Sequence, residues 1–355
     1  MVLFDIEMPK WVLFFKPIIE SLKRDGIESL IVSRGGESFT ELNDVLKLHN
    51  LDFISIGEYG GASLKGKLEA SLYRQNRLIE IVEKHDIKCV LSGSVVDINR
   101  VAFGLGIPII NFQDIPTKSF DDNYSSATPI TRLTTPFSTY VFKPFMIPDN
   151  IYLHFGLEKS QVIEYDFLDP YIWLKDFKSD RAYLEKTLPE IDFKKPIVVV
   201  REEEYKASYV SKQTNFLYEA LQEIKKLDIN LIIIPRYEAN YLKEDFPEAI
   251  ILEKKIILQH LLAFANIFIG GGGTINCEAC YFGTPVISTR SFISHYDKFL
   301  IDNELMIHSN DSKEILEHTK TLIKGNNREK AERIFAKMNL NIDLFTDKIK
   351  ELISR

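Results

Sequence analysis

The chain has 355 residues, 45% hydrophobic and 27% charged, with 17 glycines and 14 prolines, which excludes collagen-like, linker-like and disordered compositions and suits two domains of ordinary size. Its net charge of -7 comes from 44 basic and 51 acidic residues with no basic block able to follow a phosphate backbone, so nucleic acid is not an expected partner. No apolar run reaches the roughly 18 to 20 residues that cross a bilayer. The opening Met1-Val2-Leu3-Phe4-Asp5-Ile6-Glu7 meets carboxylates too early for a secretory signal, and a cytoplasmic protein is expected.

In chain order, short apolar runs alternate with longer amphipathic ones: strand 2–6, helix 11–23, strand 29–33, helix 39–49, strand 53–56, helix 67–85, strand 88–91, helix 97–105 and strand 107–112. The strands are continuously apolar, as in parallel sheets covered on both faces. An acidic, aromatic-rich stretch over about 157–195 carries Asp169-Pro170-Tyr171 and one expected helix. The alternation then restarts: strand 197–200, helix 214–227, strand 230–234, helix 239–245, strand 249–252, helix 257–265, strand 267–269, helix 276–282 and strand 285–288. The tail from Asp311 to Arg355 reads as two or three amphipathic helices.

The strongest motif is Ile267-Phe268-Ile269-Gly270-Gly271-Gly272-Gly273-Thr274-Ile275-Asn276-Cys277-Glu278, with Gly283-Thr284-Pro285 behind it. A strand runs into four glycines, Thr274 takes the expected capping position, and a helix follows. Bare glycine amides at a helix N-terminus suit an anion, above all phosphate. The run lacks the Lys-Ser/Thr ending of a P-loop and the strand-end acid of a dinucleotide fingerprint. Glu278, one turn into the helix, can accept two hydrogen bonds from a vicinal diol such as ribose. Cys277 and Cys280 have C-x-x-C spacing without a second ligand pair, and are read as buried packing rather than a zinc or redox site.

These residues resemble the glycosyltransferase B (GT-B) superfamily, in which two Rossmann-like lobes face each other across a cleft and nucleotide sugars bind mainly to the second lobe. The resemblance implies an α/β fold of that architecture with C-terminal helices. It implies an acceptor-side lobe over 1–165, a connection over 166–195, a nucleotide-sugar lobe over 196–325 and helices over 326–355. Over almost the whole length the chain is most similar to the uncharacterised, mainly archaeal domain-of-unknown-function 354 family, through Asp5-Ile6-Glu7-Met8-Pro9-Lys10, Phe14-Phe15-Lys16-Pro17, residues 100–108, residues 132–137 and the glycine motif. The resemblance implies that Gly271, Gly272, Gly273, Thr274 and Ile275 face a diphosphate and that Glu278 faces the ribose.

Ligands of open α/β sheets bind beyond the carboxyl ends of strands, which singles out further residues. Asp5 and Glu7, with Asp114 after a later strand, are candidate bases toward an acceptor hydroxyl, and Lys10 borders the same region. Gly93 and Ser94 end another strand and are read as a helix cap or as acceptor contacts. In the second half, Arg201 and Arg236 each follow a strand and are candidates for the diphosphate; Arg290 and His295 are candidates for ligand contact. No histidine pair has metal-ligand spacing and no Asp-x-Asp occurs, so neither a metal site nor a tightly bound cofactor is expected. Lys65, Lys67, Arg74 and Arg77 stand against Glu69 alone, read as a solvated helix face or, in the second instance, as a contact for an anionic membrane or phosphate-bearing acceptor. The leading functional expectation is transfer of a sugar from a nucleoside-diphosphate donor, UDP favoured, to a glycan, lipid-linked or small-molecule acceptor. The alternatives are an enzyme similar to non-hydrolysing UDP-N-acetylglucosamine 2-epimerases, whose strand-end Gly-Asp appears here as Gly93-Ser94, or a non-catalytic nucleotide-sugar binder; a homodimer is left open.

Overall fold

The computed structural model describes residues 1–35, 41–61, 63–121, 123–203, 215–236 and 239–354. The expected starts of two helices, at Phe39 and Thr214, lie outside these. The chain forms two compact units, the first made of 1–173 together with 339–355 and the second of 174–338.

The described strands of the first unit are β1 (Val2–Ile6), β2 (Ser29–Ser33), β3 (Ile54–Ser55), β4 (Cys89–Ser92), β5 (Ile109–Phe112), β6 (Tyr140–Pro144) and β7 (Val162–Tyr165). They make one parallel sheet in the order β3-β2-β1-β4-β5-β6-β7. Strands β1, β4, β5 and β6 are buried along their whole length, because crossover helices such as Pro9–Arg24, Leu64–Lys84 and Val96–Gly104 cover the sheet. Strands β6 and β7 go beyond the sequence expectation. Lys143 interrupts the apolar pattern of β6, and β7 is a half-exposed edge ending in Glu164 and Tyr165.

The second unit contains β8 (Ile197–Arg201), β9 (Asn230–Ile234), β10 (Ile250–Ile251), β11 (Ile267–Gly270), β12 (Val286–Ser288) and β13 (Met306–His308), again parallel, in the order β10-β9-β8-β11-β12-β13. Val198, Val200, Leu231, Ile233, Ile267 and Ile269 pack with Leu217, Leu221 and Ile224 of the Asn215–Ile224 helix as its core. Two helices, Tyr171–Leu174 and Arg181–Thr187, occupy the stretch where one was expected. In the tail, Ser312–Leu322 and Arg328–Phe335 belong to the second unit, whereas Asp343–Ile353 belongs to the first. That last helix inserts Phe345 among Phe14, Phe112, Phe142 and Tyr165, with ring centroids 5.1 to 5.9 Å away.

Both sheets reverse their direction of winding beside their first strand, between β1 and β4 and between β8 and β11. Backbone loops diverge at such a point and leave a crevice at the carboxyl ends of the strands, where ligands of doubly wound sheets bind.

Candidate functional site

In the second unit the crevice is built from the ends of β8 and β11. Helix Gly273–Tyr281 begins three residues earlier than its apolar pattern indicates, because the glycines join its first turn. Gly272 is its N-cap, in extended conformation and without a side-chain cap; Thr274, expected as the cap, is instead the second helical residue. Gly271 donates its amide to the Arg201 carbonyl at 3.3 Å, which removes it from the anion-binding set. The amides of Gly272, Gly273, Thr274 and Ile275 donate to no carbonyl among the described residues, and these four residues are half-buried rather than sealed. They form a run of four accessible donors with the helix dipole behind them.

The glycines are required by close approach. A Cβ on Gly271 would lie 2.4 Å from the Glu203 Cβ, and one on Gly273 would lie 2.7 Å from Arg290 Nη1. The cation beside the turn is therefore Arg290. It is held by Asp297, whose Oδ2 accepts from Arg290 Nη1 at 2.8 Å and from the Ser294 amide at 2.8 Å, as part of the capping box of helix His295–Asp302. His295, the first residue of that helix, is buried. Glu203 fastens the same loop from the other side, its Oε1 accepting from the Ser291 amide at 3.0 Å and hydroxyl at 2.8 Å. Glu278 is buried, and Gln259 Nε2 donates to its Oε1 at 2.7 Å, so a ribose would exchange places with that amide.

The guanidinium of Arg201 reaches toward β9. Arg201 Nη1 donates to the Pro235 carbonyl at 2.7 Å, at the end of β9, on the opposite side of β8 from β11. The Arg236 amide donates to Glu202 Oε2 at 2.8 Å, and Glu202 also accepts from the Tyr218 and Tyr241 hydroxyls. Burial, reinforced by Glu202, raises the pKa of Tyr218 and keeps it a donor. Sequence reasoning missed Glu202, Glu203, Gln259 and Asp297. The first two were visible as acids directly after the strand, and Asp297 as the third helical residue behind Ser294.

In the first unit, Asp5 is fully buried at the end of β1, with both oxygens engaged by Arg74 at 2.6 and 2.9 Å. That two-point pairing leaves no free edge for an acceptor proton, so the base role expected of Asp5 finds no geometry here. The Glu7 side chain is 22% exposed, and its buried Oε1 lies 3.2 Å from Arg34 and 3.3 Å from Arg74. Burial raises the pKa of both carboxyls, with Arg74 opposing it. Burial also works against the charge of Arg74, but Asp5 and Glu7 outweigh it and raise its pKa. Asp97 completes the cluster, accepting from Arg34 at 2.6 Å and from Ser71.

A second cluster surrounds Lys10, which pairs with Asp114 and, at 2.6 Å, with Asp169; Tyr165 donates to Asp169 at 2.6 Å. The two acids outweigh the burial of Lys10 and raise its pKa, while the Asp114 side chain remains 23% exposed. At the end of β4, Ser94 adopts the left-handed conformation with φ 64° and donates to the Phe112 carbonyl. The indole of Trp11 lies 1.9 Å from where a Gly93 Cβ would sit, so only glycine fits.

The basic stretch of the same unit, read as a solvated helix face or in the second instance as an anionic contact, loses Arg74 from either role, because it is fully buried on Asp5, while Arg77 pairs with Glu80. Cys277 and Cys280 are buried, and burial raises the pKa of the Cys280 thiol, away from a reactive thiolate. Among the described residues no group of three His, Cys, Asp or Glu is arranged to hold a metal ion, and no helix is long and apolar enough to cross a membrane.

Solved structures share this fold over nearly the whole chain. The UDP-GlcNAc 2-epimerase of Neisseria meningitidis bound to UDP-GlcNAc superposes with a TM-score of 0.76 at 17% identity, covering 100% of each chain. The UDP-GlcNAc 2-epimerase of Methanocaldococcus jannaschii, in complex with UDP-GlcNAc and UDP, gives 0.73 at 16% identity, covering 94% of this chain and 98% of that one. The spinosyn rhamnosyltransferase SpnG complexed with thymidine diphosphate gives 0.65 at 13% identity, covering 98% and 99%. The architecture is thus GT-B, with two Rossmann-like lobes. An uncharacterised protein of Methanocaldococcus jannaschii, MJ0665, is 28% identical over 320 residues, 88% of this chain and 89% of its own. The family described as "Protein of unknown function (DUF354)" matches residues 1–354, and the chain belongs to it.

Proposed function

We propose that the protein is a nucleotide-sugar-dependent glycosyltransferase, with a nucleoside-diphosphate sugar, UDP favoured, held by the second unit. The observation that carries this is the run of four accessible amides from Gly272 to Ile275, with Arg290 beside it and Glu278 one turn further on. Amides and guanidinium together neutralise a diphosphate, and most strongly when charge builds on it as the anomeric carbon–oxygen bond breaks. An acceptor hydroxyl attacking that carbon must lose its proton. Glu7, whose side chain is 22% exposed and whose pKa is raised by burial, is the preferred base; Asp114, held by Lys10, is the second candidate. The reading uses protein donors for the leaving group and calls for no tightly bound cofactor or metal.

A 2-epimerase-like reaction is the second reading, favoured by the two epimerases whose folds superpose at 0.76 and 0.73. Against it stands Ser94, where the resemblance implies an aspartate able to exchange a proton with carbon. Thermal-shift measurements with UDP, GDP, dTDP and CMP sugars test the nucleotide site, since a ligand bound only to the folded state raises the midpoint. We expect a shift with at least one diphosphate sugar that Glu278→Ala abolishes. Equal shifts in both proteins would remove Glu278 from the site, and no shift with any donor would remove the function. Product analysis with and without acceptor then separates transfer from epimerisation.

A further inference from the structure

The charged groups that bear most on Glu7 are Asp5 in β1, Arg34 directly after β2, Arg74 on helix Leu64–Lys84 and Asp97 in the first turn of helix Val96–Gly104. Three acids thus share two guanidiniums, and the sharing is unequal. Arg74 gives both terminal nitrogens to Asp5, at 2.6 and 2.9 Å. Arg34 gives Nη2 to Asp97 at 2.6 Å, and Asp97 is buried. Glu7 is left with the longer approaches, 3.2 Å from Arg34 and 3.3 Å from Arg74, and its Oε1 accepts a hydrogen bond from neither. Asp97 is itself held in place, because its other oxygen accepts from Ser71 and, at 3.5 Å, from Gln75 of helix Leu64–Lys84.

Two guanidiniums beside a carboxylate, left to themselves, hold it ionised and make it a poor proton acceptor. Asp5 and Asp97 draw those cations away from Glu7. Arg74 is fully buried and committed to Asp5 at two points. Arg34 is less constrained, since its side chain is 31% exposed and its buried Nε donates to no partner among the described residues. With Asp97 uncharged, Arg34 has both the freedom and a spare donor to meet Glu7. Resting on Glu7 as the base of the transfer, we propose that Asp97 is a positioning residue: it holds Arg34 away from full pairing with Glu7 and so preserves a carboxylate able to take the acceptor proton. Asp97 touches no substrate in this role, and its effect passes through Arg34. An acid in the first turn of a helix also favours that helix through its dipole, so the test must read Glu7 and not stability.

Carboxyl-carbon NMR of the full chain labelled in its glutamates, with the Glu7 resonance assigned by its loss in Glu7→Gln, follows the titration of Glu7 with neither donor nor acceptor present. In Asp97→Asn, which keeps an acceptor for Ser71, the Glu7 midpoint is expected to fall by about one pH unit, as it does when an opposite charge moves alongside a carboxylate. In Arg34→Gln the midpoint is expected to rise. Added to Arg34→Gln, Asp97→Asn is expected to move it about half as far or less, because the intermediary is gone. An unchanged midpoint in Asp97→Asn overturns the proposal. So does an equal shift with and without Arg34, which would make the effect one of direct charge. Should Asp97→Asn fail to fold, Asp97→Ser carries the same expectations. During sugar transfer, the acid limb of kcat/KM against pH is expected to follow the NMR midpoint in each variant. A limb that stays while the midpoint moves removes Glu7 as the base and leaves the hold of Asp97 on Arg34 standing, so the two failures are distinguishable.

Discussion

Arg74 shows how a single side chain can change the meaning of its neighbours. It was grouped by sequence with surface cations, yet it lies fully buried and ties Asp5 and Glu7 to the end of β1. Replacing it by methionine keeps the volume and leaves two acids without their main counter-charge, which for a buried pair costs about 3 to 5 kcal/mol. The pH dependence follows from sign. Both carboxyls already have raised pKa values, so they favour folding most below their unfolded values, and that contribution is lost as pH rises through the folded values. Without Arg74 the values rise further. Denaturant titrations are therefore expected to show a gap between wild type and Arg74→Met that is wide at pH 7 and narrows toward pH 5; a gap independent of pH would contradict this account. Glu278 and the glycines could be found from their order in the chain, because a helix start has a local signature. The partners Gln259, Glu203 and Asp297 could not, because they come from other segments and meet the turn only after the sheet has formed.

At the scale of elements, the strands that proved easiest to find were those with an apolar centre, such as β1 with Val2-Leu3-Phe4, β2 with Leu30-Ile31-Val32 and β9 with Leu231 to Ile234. Strands β6, β7 and β13 escaped notice for a physical reason: edge or partly polar strands need not be apolar throughout, and each has Lys143, Glu164 or His308 within it. Helix boundaries moved wherever tertiary contacts rather than periodicity set them, as at Gly273. The connection between helices Arg181–Thr187 and Leu258–Phe264 supplies a second pH test. His260 Nδ1 accepts the Asp180 amide at 2.9 Å, and burial lowers its pKa despite the nearby Asp180 charge. A depressed histidine favours folding above its unfolded pKa of about 6.5 and loses that contribution as pH falls, since protonation removes the acceptor. The wild type is expected to lose more stability between pH 7 and pH 5.5 than His260→Gln does, measured by thermal melting. Identical pH profiles would show that the ring nitrogen carries no such role.

The whole molecule is the same wind of strands made twice, and this doubling was legible because the alternation of apolar and amphipathic runs begins afresh after Pro196. What sequence order could not convey is that the last helix leaves the second unit and returns to the first. Phe345→Ala removes a ring contacted by Phe14, Phe112, Phe142 and Tyr165, and is expected to cost about 3 to 5 kcal/mol, as large-to-small changes in a packed aromatic core do. Urea denaturation followed by near-ultraviolet dichroism measures this in the first unit; a loss below about 1 kcal/mol, the size of a single small core deletion, would mean that the helix is only loosely docked. The return of Asp343–Ile353 also fixes an order of events during synthesis. Domains ordinarily fold in the order in which they leave the ribosome. Here the segment 174–338 is continuous and leaves the ribosome before residues 339–355, whereas the unit that contains residues 1–173 must wait, its aromatic cluster still open, until helix Asp343–Ile353 has emerged.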